Sequence, residues 1–133
     1  MLPMAHLILP DSNVFISALR AGTDPFQQFD PEAEDREFGT CGMVIMEVCR
    51  GVREPHLLRR LKERFSVMIY IPTSNQIWER AAHLAWSLDR QGRVLPAPDL
   101  IIAACALHAG AAVLTADAHF REIPGLTVLN SLN

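Results

Sequence analysis

The chain has 133 residues, half of them hydrophobic, with a formal net charge of −3 at pH 7. That length suits one compact domain over residues 1–133 with its own core, and the mild negative charge argues against broad coating of nucleic acid without excluding a local basic patch beside an acidic site. Three cysteines with no disulfide-like framework, and no basic and apolar leader pattern, make the expected setting the reducing cytoplasm.

From the N-terminus, His6-Leu-Ile-Leu9 is an apolar run short enough for a buried strand. It is expected to stop before Pro10, because proline removes a ladder donor. Asp11-Ser-Asn-Val-Phe-Ile then turns to helical spacing, so Asp11 sits at a strand end, where its plain alternative is a helix N-cap. Gly22 and Asp24-Pro25 mark a turn, and the acidic stretch from Pro31 to Glu37 reads as helix-compatible solvated surface. Phe38 to Cys41 is a short strand candidate, followed by a helix from Gly42 that Gly51 can end. In that helix Glu47 is the odd residue, set among Val44, Ile45, Met46 and Val48. Its carboxylate either escapes to solvent or enters a polar cleft, and the second is tolerable only beside a cation.

Pro55 to Phe65 predicts a further helix with Leu57, Leu58, Leu61 and Phe65 on one side. Its Arg59, Arg60, Lys62 and Arg64, with Arg50 and Arg53 just upstream, form the densest basic region of the chain. Solvated helix surface is the default reading, and a phosphate- or partner-facing patch the alternative. Ser66 to Ile71 is a strand candidate. Thr73 and Gln76 match a capping box opening a helix whose Ile77, Ala81, Leu84, Ala85 and Leu88 form an apolar stripe. Trp78, His83 and Trp86 on it read as packing or interface residues.

A loop bearing Arg93 leads into Pro96 to Phe120, the stretch around which the chain is organised. Its apolar run from Leu100 to Ala116 falls short of the ~20 residues of a bilayer span and contains His108 and Gly110, so no membrane helix is expected. Pro98 suits the first turn of a helix, Asp99 its positive end, and Gly110 the left-handed residue that stops it. Ala111 to Thr115 then predicts a short buried strand with Asp117 just past its end, and Leu126 to Leu129 a last one.

Strands alternating with helices favour a parallel sheet with right-handed crossovers, which gathers strand-end residues from distant parts of the chain at one edge. If Asp11, Glu47, Asp99 and Asp117 meet there, each pair of charges ~4 Å apart repels by about 4 kcal/mol at an effective dielectric near 20, a large share of a typical ~5–15 kcal/mol of folding stability. A divalent cation or protonation must relieve it. All-oxygen ligands suit Mg²⁺ or Mn²⁺, whose natural chemistry at such a site is phosphodiester hydrolysis by an activated water. Zinc would want Cys and His at finger-like spacings that Cys41, Cys49 and Cys105 do not offer. Neither a Gly-x-Gly-x-x-Gly fingerprint nor a Walker loop is present.

Leu-Pro-Asp11-Ser-Asn-Val-Phe-Ile, Met-Glu47-Val-Cys-Arg-Gly, Pro-Asp99-Leu-Ile-Ile-Ala-Ala and Thr115-Ala-Asp117-Ala-His-Phe resemble, in order, the motifs of the PIN-domain ribonucleases, and the size resembles VapC toxins of toxin–antitoxin pairs. The resemblance spans essentially the whole chain. It implies a Rossmann-like α/β/α sandwich with a mostly parallel central sheet, Mg²⁺- or Mn²⁺-dependent endoribonuclease activity on RNA, a homodimer, and inhibition by a cognate antitoxin. The family's acids fall on Asp11, Glu47, Asp99 and Asp117, and its supporting polar positions on Asn13 and Thr115. On this reading Asp11, Asp99 and Asp117 bind the metal, Glu47 binds it or orients its water, and Arg50, Arg53 or Arg93 meets RNA phosphate. A catalytically silent PIN-like scaffold holding RNA or protein is the rival from another class. Two positions depart from the pattern: Pro10 stands where an aliphatic residue is usual, and His119 where an acid is frequent, which argues against a fifth carboxylate.

Overall fold

The computed structural model describes residues 6–29 and 36–132. Along them run β1 (Leu7–Pro10), α1 (Ser12–Arg20), β2 (Glu37–Cys41), α2 (Gly42–Cys49), α3 (Pro55–Ser66), β3 (Ile69–Ile71), α4 (Asn75–Arg90), α5 (Ala97–Ala109), β4 (Ala112–Leu114), a 3-10 turn (Ala118–Glu122) and β5 (Val128–Leu129). The strands form one sheet in the order β3-β2-β1-β4-β5, and every neighbouring pair is parallel. The chain lays down β1, moves outward through β2 to β3, and then returns through α4 and α5 to place β4 on the other side of β1. The reversal falls between β1 and β4, the place in an open parallel sheet where a crevice opens beyond the carboxyl ends of the strands.

Consecutive residues Ile8, Leu9 and Pro10 in β1, and all of β4, are buried. Successive side chains of a strand point to opposite faces, so both faces of the central strands are covered, as a parallel sheet flanked by helices requires. Helix α5 is buried continuously from Leu100 to Ala106, which explains why its sequence shows no polar stripe: it packs against α4 while also touching α2 and β4. Gly110 ends it in the left-handed conformation at φ 68°. The other side of the core is aromatic, with Phe15 of α1 at ring-centroid distances of 5.0–5.5 Å from Phe26, Phe29 and Phe65. Among the described residues no helix is long and apolar enough to cross a membrane.

Several local expectations change. Pro10 remains in β1, paired with Leu114. The Asp11 N–H donates to the Leu114 carbonyl at 2.9 Å, and N–H groups alternate sides along a strand, so the donor that Pro10 lacks faces β2, whose register with β1 ends at Ile8 and Phe38. The strand expected from Ser66 is only Ile69–Ile71, because Val67 and Met68 donate back to Arg64 and Phe65 and finish α3. The cap of α4 is Ser74, whose hydroxyl accepts the Ile77 N–H at 3.3 Å; Thr73 instead faces the Cys105 sulfur at 3.6 Å, and Gln76 is exposed. Helix α2 closes through Arg50, and Gly51 does not adopt a left-handed conformation. Of the two readings given to Trp78 and Trp86, packing is removed by their 51% and 56% exposure, and the interface reading stays an expectation. Most of the acidic stretch read as solvated surface, residues 31–35, lies outside the described residues.

Candidate active site

Asp11 follows β1 and occupies the N-cap position of α1, yet its side chain makes no capping hydrogen bond. It accepts instead from the Thr115 hydroxyl at 3.0 Å and, at a longer 3.3 Å, from Ser12. Only 1% of Asp11 is exposed. Burial pushes its carboxyl up, the Thr115 and Ser12 hydrogen bonds pull it back, and the Glu47 charge adds a smaller push upward. Thr115, just past β4, also accepts the Asp117 N–H at 3.0 Å. One hydroxyl thereby ties the acids at the ends of the two central strands together.

Glu47 projects from α2 and receives the Ser12 hydroxyl at 2.8 Å. A serine has a single hydroxyl proton, so this contact takes it in preference to the longer approach to Asp11. Asp99 enters from the first turn of α5. Its carboxyl is pushed up to about 6 by desolvation first, then by the charges of Asp11 and Asp117, with Glu47 adding and His119 opposing. Asp117 opens the 3-10 turn by accepting the His119 N–H at 2.9 Å. That turn brings the His119 Nδ1 to 3.3 Å from Asp117 and 3.6 Å from Asp99. Asp99, Asp117 and His119 each offer a ligand atom within 4.8 Å of the other two.

Asp11, Glu47, Asp99 and Asp117 thus converge at the carboxyl edge of β1 and β4, with Thr115 between two of them. Asn13 does not join them: it is exposed on α1, and among the described residues no hydrogen bond links it to the acids. Arg50 and Arg53 line a groove of about 530 Å³ that also contains Glu47 and is floored by Leu19, Val48 and Val52. Arg93 lies apart, 3.9 Å from Glu122. Ser12 does not stand out in the sequence as a site residue, since a serine after a strand-end aspartate looks like another capping candidate. His119 stands in the sequence only as a missing acid. The available signal was its position two residues after Asp117, the spacing at which an aspartate accepts a backbone N–H in a tight turn.

The family model of the PIN domain matches residues 8–126, a span holding all four acids. The chain belongs to the PIN-domain family. A curated relative, Ribonuclease VapC21 of Mycobacterium tuberculosis, is 32% identical over 104 residues, covering 75% of each protein. Among solved structures, a toxin–antitoxin complex from Klebsiella pneumoniae is 28% identical with a TM-score of 0.68, the match covering 92% of this chain and 96% of that one. DNA-bound VapBC from Salmonella typhimurium, 21% identical, aligns over 97% of this chain and 98% of that one with a TM-score of 0.77, and shows that the fold is shared.

Proposed function

We propose that this PIN domain, residues 1–133 acting as one unit, is a VapC-like endoribonuclease that hydrolyses RNA phosphodiester bonds with the help of Mg²⁺ or Mn²⁺. The observation that carries the reading is the convergence of four carboxylates at the β1–β4 edge, with the Asp99 carboxyl pushed up to about 6 by burial first and then by its acidic neighbours. A site that resists its own ionisation in this way has the donor chemistry and the uncompensated field that a hard divalent cation satisfies. The closely spaced donors of Asp99, Asp117 and His119 fit such an ion. When bound, it neutralises the acids and makes water a competent nucleophile near neutral pH.

The chain's own side chains then divide the work. Asp11, Asp99 and Asp117 hold the cation; Thr115 fixes Asp11 and Asp117 relative to each other. Glu47, oriented by Ser12, holds the cation or takes a proton from the attacking water. Asn13, exposed on α1, takes no part in holding the acids. Arg50 and Arg53, lining the groove that contains Glu47, meet RNA phosphates, with Arg93 a further candidate. The relatives named as a ribonuclease and as toxin–antitoxin complexes support RNA as substrate and an antitoxin as inhibitor; a cytoplasmic homodimer is what the resemblance of the motifs implies. An inhibitor seated in that groove covers Glu47 and the arginines together.

Purified protein is expected to cut RNA with Mg²⁺ or Mn²⁺ and to stop in EDTA, while Asp99→Asn loses about a hundredfold in rate, the upper end of what loss of even a supporting partner costs a metal site. Equal cleavage in EDTA overturns the metal mechanism. No cleavage, together with no divalent binding by calorimetry, returns the chain to the silent-scaffold class.

A further inference from the structure

We propose that His119 is a metal ligand, and that its imidazole nitrogen shifts the site's preference from Mg²⁺ toward Mn²⁺. The inference deepens the proposed metal dependence and rests on it. An imidazole at the position where an acid is frequent changes the kind of donor as well as the count. The Nδ1 atom lies 3.3 Å from an Asp117 oxygen and 3.6 Å from an Asp99 oxygen. Adjacent ligands of an octahedral ion with bonds of ~2.1 Å stand about 3 Å apart, so the imidazole nitrogen approaches each carboxylate nearly as one ligand approaches the next, and the three residues offer donors within 4.8 Å of one another.

The placement is built into the backbone. Thr115 accepts the Asp117 N–H, Asp117 accepts the His119 N–H, and the buried Phe120 anchors the turn that carries the imidazole. Asp11, Glu47 and the Ser12 hydroxyl between them add oxygen donors to the cleft. The resulting set is oxygen-rich with one nitrogen. Mg²⁺ is a hard cation that keeps oxygen ligands and waters, whereas imidazole suits the transition metals, among which Mn²⁺ also accepts carboxylates. The rival account gives His119 no ligand role and leaves it as a cationic partner of Asp99 and Asp117, displaced when metal enters.

Electron spin-echo spectroscopy of the full chain loaded with Mn²⁺ separates the two, because a directly bound imidazole imposes ¹⁴N modulation on the manganese signal. The modulation is expected in the parent protein and absent from His119→Asp with Mn²⁺ still bound. Calorimetric titration of both proteins with Mn²⁺ and with Mg²⁺ is expected to show the Mn²⁺/Mg²⁺ affinity ratio falling at least about tenfold in His119→Asp, the lower end of what loss of a supporting group alone costs a metal site. The ratio is the readout, since Mn²⁺ exceeds Mg²⁺ at many all-oxygen sites. Bound Mn²⁺ without ¹⁴N modulation, or an unchanged ratio, overturns the ligand role and leaves the metal-dependent nuclease reading standing. Failure of the parent protein to bind either ion overturns both.

Discussion

Asp99 keeps its proton to about pH 6 because burial, Asp11 and Asp117 all oppose its ionisation. In the unfolded chain an aspartate ionises near 3.9, so between about pH 4 and 6 the folded state binds more protons than the unfolded one. Stability of the metal-free protein therefore declines as pH rises through that window. The melting temperature of the parent, measured against Asp99→Asn, is expected to fall across it and then level off. Metal binding has the opposite dependence, because an ion competes with that proton: calorimetric affinity for Mg²⁺ or Mn²⁺ should weaken as pH is lowered from 7.5 to 5. Ser12→Ala leaves Glu47 without its 2.8 Å donor and should lower RNA cleavage about 10- to 100-fold in a steady-state assay, with a stability loss of only ~1 kcal/mol in urea melts. The acids were legible in the sequence as carboxylates at element ends. Ser12 was not, since a hydroxyl beside a helix start has a local use that hides a long-range one, and its partner Glu47 lies 35 positions away.

Helix α5 and strand β4 were the most legible elements, because Pro98 opens the helix, Gly110 closes it, and the apolar run from Leu100 to Ala106 leaves no face for water. Gly110 has nothing within 4 Å of where a Cβ would stand. Gly110→Ala is therefore a test of backbone conformation alone, and its left-handed φ of 68° predicts a loss of about 1–2 kcal/mol in denaturant unfolding, without loss of metal binding. Phe15→Ala, by contrast, empties the centre of the aromatic cluster and should cost ~3–5 kcal/mol. Boundaries were less legible where composition and hydrogen bonding disagree. Val67 has a strand former's side chain, yet its N–H completes α3, and at 82% exposure it buries almost nothing. Pro10 erred in the other direction: a rule about lost donors needs to know which side of the strand the donor faces, and that depends on the neighbours.

At the scale of the whole molecule, the strand order β3-β2-β1-β4-β5 makes a cleft out of residues from both ends of the chain. Alternation of strands and helices announced a parallel sheet, but the order of its strands, and with it the pairing of Asp11 with Thr115 and Asp117, came from long-range packing that no local pattern encodes. Filling that cleft with a divalent ion should stabilise the protein by mass action, ~2.7 kcal/mol at a hundredfold excess over Kd, and raise the melting temperature by several degrees at neutral pH; Asp99→Asn is expected to lose most of that rise in a thermal-shift assay. The bond from Thr115 to Asp11 spans 104 positions, and β4, which Thr115 follows, comes after β1, β2 and β3 along the chain. During translation the N-terminal half emerges first. The β1 end of the cleft therefore waits for β4: Asp11 finds the hydroxyl that fixes it only after the polypeptide has been extended past Thr115.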